Sequence, residues 1–141
     1  MSFEFIQKLP TPEEIAAEFP ISDELRKIKS ERDAAIENVI TGKDNRFLLI
    51  IGPCSADNED AVCDYAERLA KVNEKVKDRL ILIPRVYTNK PRTTGEGYKG
   101  ITAQPDPEGK PDFKAGLIAM RHMQIHVMEV SGLTAADEML Y

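Results

Sequence analysis

Two short apolar runs stand out from an otherwise mixed chain. Phe47-Leu48-Leu49-Ile50-Ile51 is continuous rather than alternating and stops at Gly52-Pro53. That pattern predicts a strand buried on both faces, as in a parallel sheet. Leu80-Ile81-Leu82-Ile83 repeats it and is expected to run on through Pro84 to Tyr87. Between and after these runs the apolar positions recur with helical period. Val62, Tyr65 or Ala66, Leu69, Val72 and Val76 share one face of a helix that Asp57 is placed to cap, with Cys63 off the stripe. Leu117, Met120, Met123, Val127 and Val130 stripe another helix, capped by Asp112 and ended at Ser131-Gly132. Leu133 to Asp137 then begins a third strand. Upstream, Thr11-Pro12-Glu13-Glu14 places a cap, a first-turn proline and an N3 glutamate in order for a short helix that Pro20 stops. Ser22, followed by Asp23 and Glu24, opens a longer helix with Leu25, Ile28, Ala35 and Val39 on its apolar side and Gly42 as a left-handed end.

The order is an arm, a helix, then β-α-β-α-β. Alternation of this kind implies an α/β fold with a parallel sheet and right-handed crossovers. The candidate boundary is near Gly42, separating residues 1–42 from residues 43–141. No apolar run approaches the roughly 20 residues that span a bilayer. MSFEFIQKLP lacks a basic region followed by an apolar one, so the expectation is a cytoplasmic protein with no membrane partner. Nineteen basic against twenty-four acidic residues leave a net charge of −5, and there is no Trp, which argues against a nucleic-acid partner. Two cysteines make no disulfide framework.

In parallel α/β folds ligands bind at the C-terminal ends of the strands. Three segments fall there: Gly52-Pro53-Cys54-Ser55, Arg85 to Lys99, and Asp137-Glu138. The second carries Arg85, Lys90, Arg92 and Lys99 against the single acid Glu96, a local excess of three positive charges in an acidic chain. Lys90-Pro91-Arg92-Thr93-Thr94 joins an ammonium, a guanidinium and two hydroxyls, the groups that hold phosphates and carboxylates. A solvated basic loop would have the same composition. Cys54, at a strand end, suits a nucleophile, a metal-binding thiolate or an inert small residue. Cys63 is expected to be inert. His122 and His126, four apart with Glu129 three further on, have the spacing of metal ligands. They lie opposite the apolar stripe, so a solvated helix face is the expectation.

Gly52-Pro53-Cys54-Ser55, Arg85-Val86-Tyr87, Lys90-Pro91-Arg92-Thr93-Thr94, Gly97-Tyr98-Lys99-Gly100 and Gly132-Leu133-Thr134-Ala135-Ala136-Asp137-Glu138 occur in order from about Gly42 to Tyr141. The set resembles class I 3-deoxy-D-arabino-heptulosonate-7-phosphate (DAHP) synthases. The resemblance implies a (β/α)₈ barrel, of which this chain would hold the first three strands behind an N-terminal helical extension. It implies condensation of phosphoenolpyruvate with erythrose 4-phosphate, the first step of the shikimate pathway to aromatic amino acids. It also implies a divalent metal cation, acting as a Lewis acid on the aldehyde, and a homo-oligomer in the complete enzyme. By the same likeness Cys54 is a metal ligand, and Arg85 and Lys90 are catalytic residues that bind phosphoenolpyruvate. Pro91, Arg92 and Thr93 contact erythrose 4-phosphate, and Glu138 lines the site.

Two departures bear on that likeness. Thr94-Gly95-Glu96-Gly97-Tyr98-Lys99 is one residue longer than in some relatives, which have Trp before the lysine; this concerns Lys99 rather than Lys90 or Arg92. A complete barrel also takes about 250 residues, so the family's later phosphate and metal ligands are expected beyond residue 141, and the chain is expected to be inactive alone. One rival is a related phosphoenolpyruvate-dependent sugar-acid synthase, against which the Lys90-to-Thr94 motif argues. The other is a non-catalytic oligomerisation or binding module.

Overall fold

A computed structural model of the chain describes residues 4–5, 7–90 and 96–138. Its elements are α1 (Pro12–Glu18), α2 (Asp23–Ile40), β1 (Phe47–Ile51), α3 (Glu59–Val76), β2 (Leu80–Pro84) and α4 (Phe113–Ser131). The helix starts follow local chemistry. The Thr11 hydroxyl accepts from the Glu14 N–H while the Glu14 carboxylate accepts from the Thr11 N–H, a complete capping box. The Ser22 hydroxyl caps α2 at the Leu25 N–H, and Asp112 caps α4 at Ala115. Gly42 and Gly132, with φ of 74° and 65°, turn the chain out of α2 and α4. The cap of α3 is Asn58 rather than Asp57: Asn58 holds the extended φ and ψ, and its side chain accepts from the Ala61 N–H.

β1 and β2 pair in parallel with Phe47 opposite Leu80 and Ile51 opposite Pro84. The expected third strand is a single parallel bridge between Arg85 and Ala136. It is held by Val86 N–H to Ala136 O at 2.8 Å and Ala136 N–H to Pro84 O at 2.9 Å. The two strands differ sharply in burial. Ile81, Leu82, Ile83 and Pro84 are buried, as a central strand should be. Phe47, Ile50 and Ile51 are 69%, 56% and 40% exposed, so burial of β1 on both faces does not hold. β2 has β1 on one side and the bridge on the other; among the described residues β1 pairs with β2 alone.

The core lies between β2, α3 and α4, where Val62, Cys63, Ala66, Val86, Ile101, Met123 and Val127 pack together. Cys63 therefore faces inward, 6% exposed, contrary to its expected place off the stripe. The reason is that α3 packs against two neighbours, α4 and β2, so its buried arc is wider and rotated. Val72, on the expected stripe, is 47% exposed. Arg32 ties α2 to the sheet, donating to Leu82 O on β2 and to Thr134 Oγ1. Arg121 of α4 donates to Phe19 O at the end of α1, 3.0 Å from Nη2. Among the described residues no helix is long and apolar enough to cross a membrane.

Candidate active site

Because the strands are parallel, the segments leaving β1, β2 and the bridge emerge on one side. Glycine is required where β1 exits. A Cβ on Gly52 would lie 2.9 Å from both the carbonyl carbon and the Cβ of Arg85, and closer still to the Arg85 carbonyl oxygen. The same exit carries Ile51 O, which accepts from the Arg85 N–H at 2.9 Å. Pro53 and Cys54 are thereby brought against the end of β2.

Arg85 is held from three directions. Its Nε donates to Glu138 Oε1 at 2.5 Å and its Nη1 to Pro53 O at 2.8 Å. Its guanidinium lies 4.4 Å from the centre of the Tyr87 ring, a cation–π contact. The Glu138 carboxylate raises the guanidinium's pKa above its ordinary value, more than desolvation lowers it, so Arg85 is a permanent cation. Lys90 Nζ sits 3.2 Å from Cys54 Sγ. The loop that follows is closed at its base: the Lys90 N–H donates to Lys99 O at 2.9 Å and the Thr102 N–H to Thr88 O at 3.1 Å. Gly100 makes this possible, with φ of 93° and its α-carbon facing the backbone of Thr88 to Lys90.

Of the residues expected to act, Cys54, Arg85, Lys90 and Glu138 meet at this rim. Pro91, Arg92 and Thr93 lie outside the described residues. The structure gives a part to two groups that the sequence placed at the strand ends without a role. One is Tyr87, whose ring supports Arg85. The other is the pair Thr88 and Asp137, whose hydroxyl and carboxylate join the β2 exit to the third segment. A hint was present in Thr88, a hydroxyl directly following a run of buried residues.

What these groups can do is bind anions. Two cations with fixed backbone supports face the same rim. As a metal centre the residues do not suffice. Cys54 is exposed and supplies a single donor beside an ammonium, and among the described residues no group of three or more His, Cys, Asp or Glu could hold a metal ion. One sulfur donor is not a coordination sphere.

The other candidate cluster lies elsewhere. His122 and His126 of α4 both meet Glu59 at the start of α3, with Nδ1 to Oε1 distances of 3.1 and 2.6 Å. They are not merely solvated, as expected, but brace two helices. Burial pushes the Glu59 carboxyl up, and the hydrogen bonds from His126 and His122 more than offset it, leaving its pKa below the ordinary value. The Cys63 thiol is pushed up to about 11 by burial and by Glu59, Asp60, Glu67 and Glu129, which fits an unreactive thiol.

Comparison with known proteins matches the model of the DAHP synthetase I family over residues 18–140. The chain is 41% identical over 133 residues to the phenylalanine-inhibited phospho-2-dehydro-3-deoxyheptonate aldolase of Saccharomyces cerevisiae, covering 94% of this chain and 35% of that one. It is 37% identical over 135 residues to the Trp-sensitive phospho-2-dehydro-3-deoxyheptonate aldolase of Enterobacter agglomerans, covering 96% and 38%. The solved structure of phospho-2-dehydro-3-deoxyheptonate aldolase from Francisella tularensis superposes with a TM-score of 0.88 at 29% identity, over 99% of this chain and 40% of that one. The chain thus spans less than half the length of these relatives.

Proposed function

The chain belongs to the DAHP synthetase I family, and from that premise we propose that it forms the front of an enzyme condensing phosphoenolpyruvate with erythrose 4-phosphate at the entry to aromatic amino-acid synthesis. Residues 1–42 are then a helical extension and residues 43–141 the first part of a (β/α)₈ barrel. The observation that carries the reading is the convergence of Arg85, Lys90, Cys54 and Glu138 at the C-terminal ends of parallel strands. Phosphoenolpyruvate carries a carboxylate and a phosphate, and the two cations Arg85 and Lys90 are the groups of this rim suited to hold them. Glu138 and Pro53 O orient the guanidinium, so little ordering is required on binding. Held there, the cations also stabilise negative charge as phosphate departs. Pro91, Arg92 and Thr93 contact erythrose 4-phosphate, Glu138 lines the site, and Cys54 contributes one ligand to a divalent cation completed by residues other than those described.

The test is equilibrium binding of phosphoenolpyruvate to the chain, with phosphate release in the presence of erythrose 4-phosphate followed in parallel. Saturable binding is expected. Arg85→Ala and Lys90→Ala are each expected to weaken it by about ten- to a hundredfold, because each removes a charge-assisted contact of about 1.5–3 kcal/mol. No turnover is expected from the chain alone. Binding that is unchanged in both variants overturns the assignment of these cations, and turnover by the 141-residue chain overturns the expectation that other residues complete the site.

A further inference from the structure

Main-chain pairing between the β2 exit and the third segment ends at Ala136. The next residue continues the connection with its side chain. Asp137 Oδ1 accepts from the Thr88 N–H at 3.1 Å and from the Glu138 N–H at 2.8 Å. Asp137 Oδ2 accepts from the Thr88 hydroxyl, which in turn accepts from the Thr102 hydroxyl at 3.1 Å. Thr88 is 1% exposed, so the clamp is anchored on its Thr88 side where water competes little, while Asp137 itself is exposed.

The placement gives the clamp its meaning. Thr88 lies three residues after Arg85 and two before Lys90. Glu138, whose N–H Asp137 also holds, is the residue that orients the Arg85 guanidinium. One carboxylate therefore fixes both the backbone between the two cations and the partner of one of them. We propose that Asp137 is a positioning residue: it sets the spacing of Arg85 and Lys90, and through that spacing the preference for a substrate with two separated anionic groups over a single small anion. This rests on the reading of Arg85 and Lys90 as the phosphoenolpyruvate anchors. It adds to it the residue that makes them act as a pair. Asp137 acts through Thr88 and Glu138, whose donors its carboxylate takes up.

The experiment compares two ligands on the full chain. Phosphoenolpyruvate needs both cations at a fixed separation; inorganic phosphate is satisfied by one. Asp137→Ala is expected to weaken phosphoenolpyruvate about tenfold while changing inorganic phosphate by less than about twofold, since one of the two contacts is lost and the other kept. Asp137→Asn keeps a carbonyl oxygen for the two N–H groups and lets the Thr88 hydroxyl turn to accept, so it should retain the wild-type ratio. Thr88→Val removes the hydroxyl arm alone and should fall between. Equal weakening of both ligands by Asp137→Ala marks a general structural role and overturns the proposal, as does an Asn variant as impaired as the Ala one. If the wild-type chain binds neither ligand, the anchor assignment fails, and amide hydrogen exchange decides the positioning role separately. Faster exchange at Thr88 and Glu138 in Asp137→Ala, with α3 and α4 unchanged, sustains it; unchanged exchange at those two amides overturns it.

Discussion

Gly52→Ala is a small substitution at the most crowded point of the rim. The added methyl would stand 2.9 Å from the carbonyl carbon and from the Cβ of Arg85, and nearer to the carbonyl oxygen. Ordinary contact needs roughly 3.5 Å or more between carbons, so the exit of β1 must move away from β2 by the better part of an ångström. The obstacle is backbone, which cannot rotate aside. The nearest casualty is the hydrogen bond from the Arg85 N–H to Ile51 O, now 2.9 Å. Losing it costs about 0.5–1.5 kcal/mol, and the strain of overpacking adds about 1–3 kcal/mol. A total of about 2–4 kcal/mol lowers the melting temperature by roughly 8–15 °C for a chain of this size. Circular dichroism melts and urea titrations measure it directly, with phosphoenolpyruvate binding as a second readout. Because Pro53 O moves with the β1 exit, binding should weaken too. A variant that melts within about 2 °C of the wild type and binds normally would show that the strands are not held as close as described.

Three further outcomes follow from other parts of the molecule. A thiol reagent at pH 8 should label the exposed Cys54 in the native chain and spare Cys63, whose thiol, pushed up to about 11, leaves roughly one molecule in a thousand as thiolate; equal labelling before denaturation refutes the inward orientation of Cys63. Because Glu59 has a lowered pKa in the folded chain, its contribution to stability is present above its unfolded value of about 4.3 and is lost as pH falls through the folded value. Glu59→Gln should therefore flatten the acid limb of the urea midpoint below about pH 5, and an unchanged limb contradicts the brace. Thr11→Ala removes an exposed capping box and should loosen α1, read as faster amide exchange at Glu13 and Glu14, while moving the global midpoint by less than about 1 kcal/mol.

Much of the local architecture was legible along the chain because its causes are local. Thr11, Ser22 and Asp112 cap helices through atoms three residues away, and Gly42 and Gly132 end them through their own φ. Continuous apolar runs mark both strands, and parallel order alone places Cys54, Arg85, Lys90 and Glu138 on one rim. What failed depended on neighbours. The apolar residues of β1 read as buried, yet burial is a property of what lies across a face, and a pentapeptide does not carry that information. Cys63 turned inward because α3 has two packing partners, which no single-helix period can report. The choice between Asp57 and Asn58 as a cap turned on one backbone conformation. The clamp between Asp137 and Thr88 spans 49 residues; strand order puts both segments on one rim, but neither sequence says that these two side chains pair. Hydrogen-bonding groups were visible as residue types; only the fold, by bringing the ends of β2 and the third segment within reach, decided which donor met which acceptor.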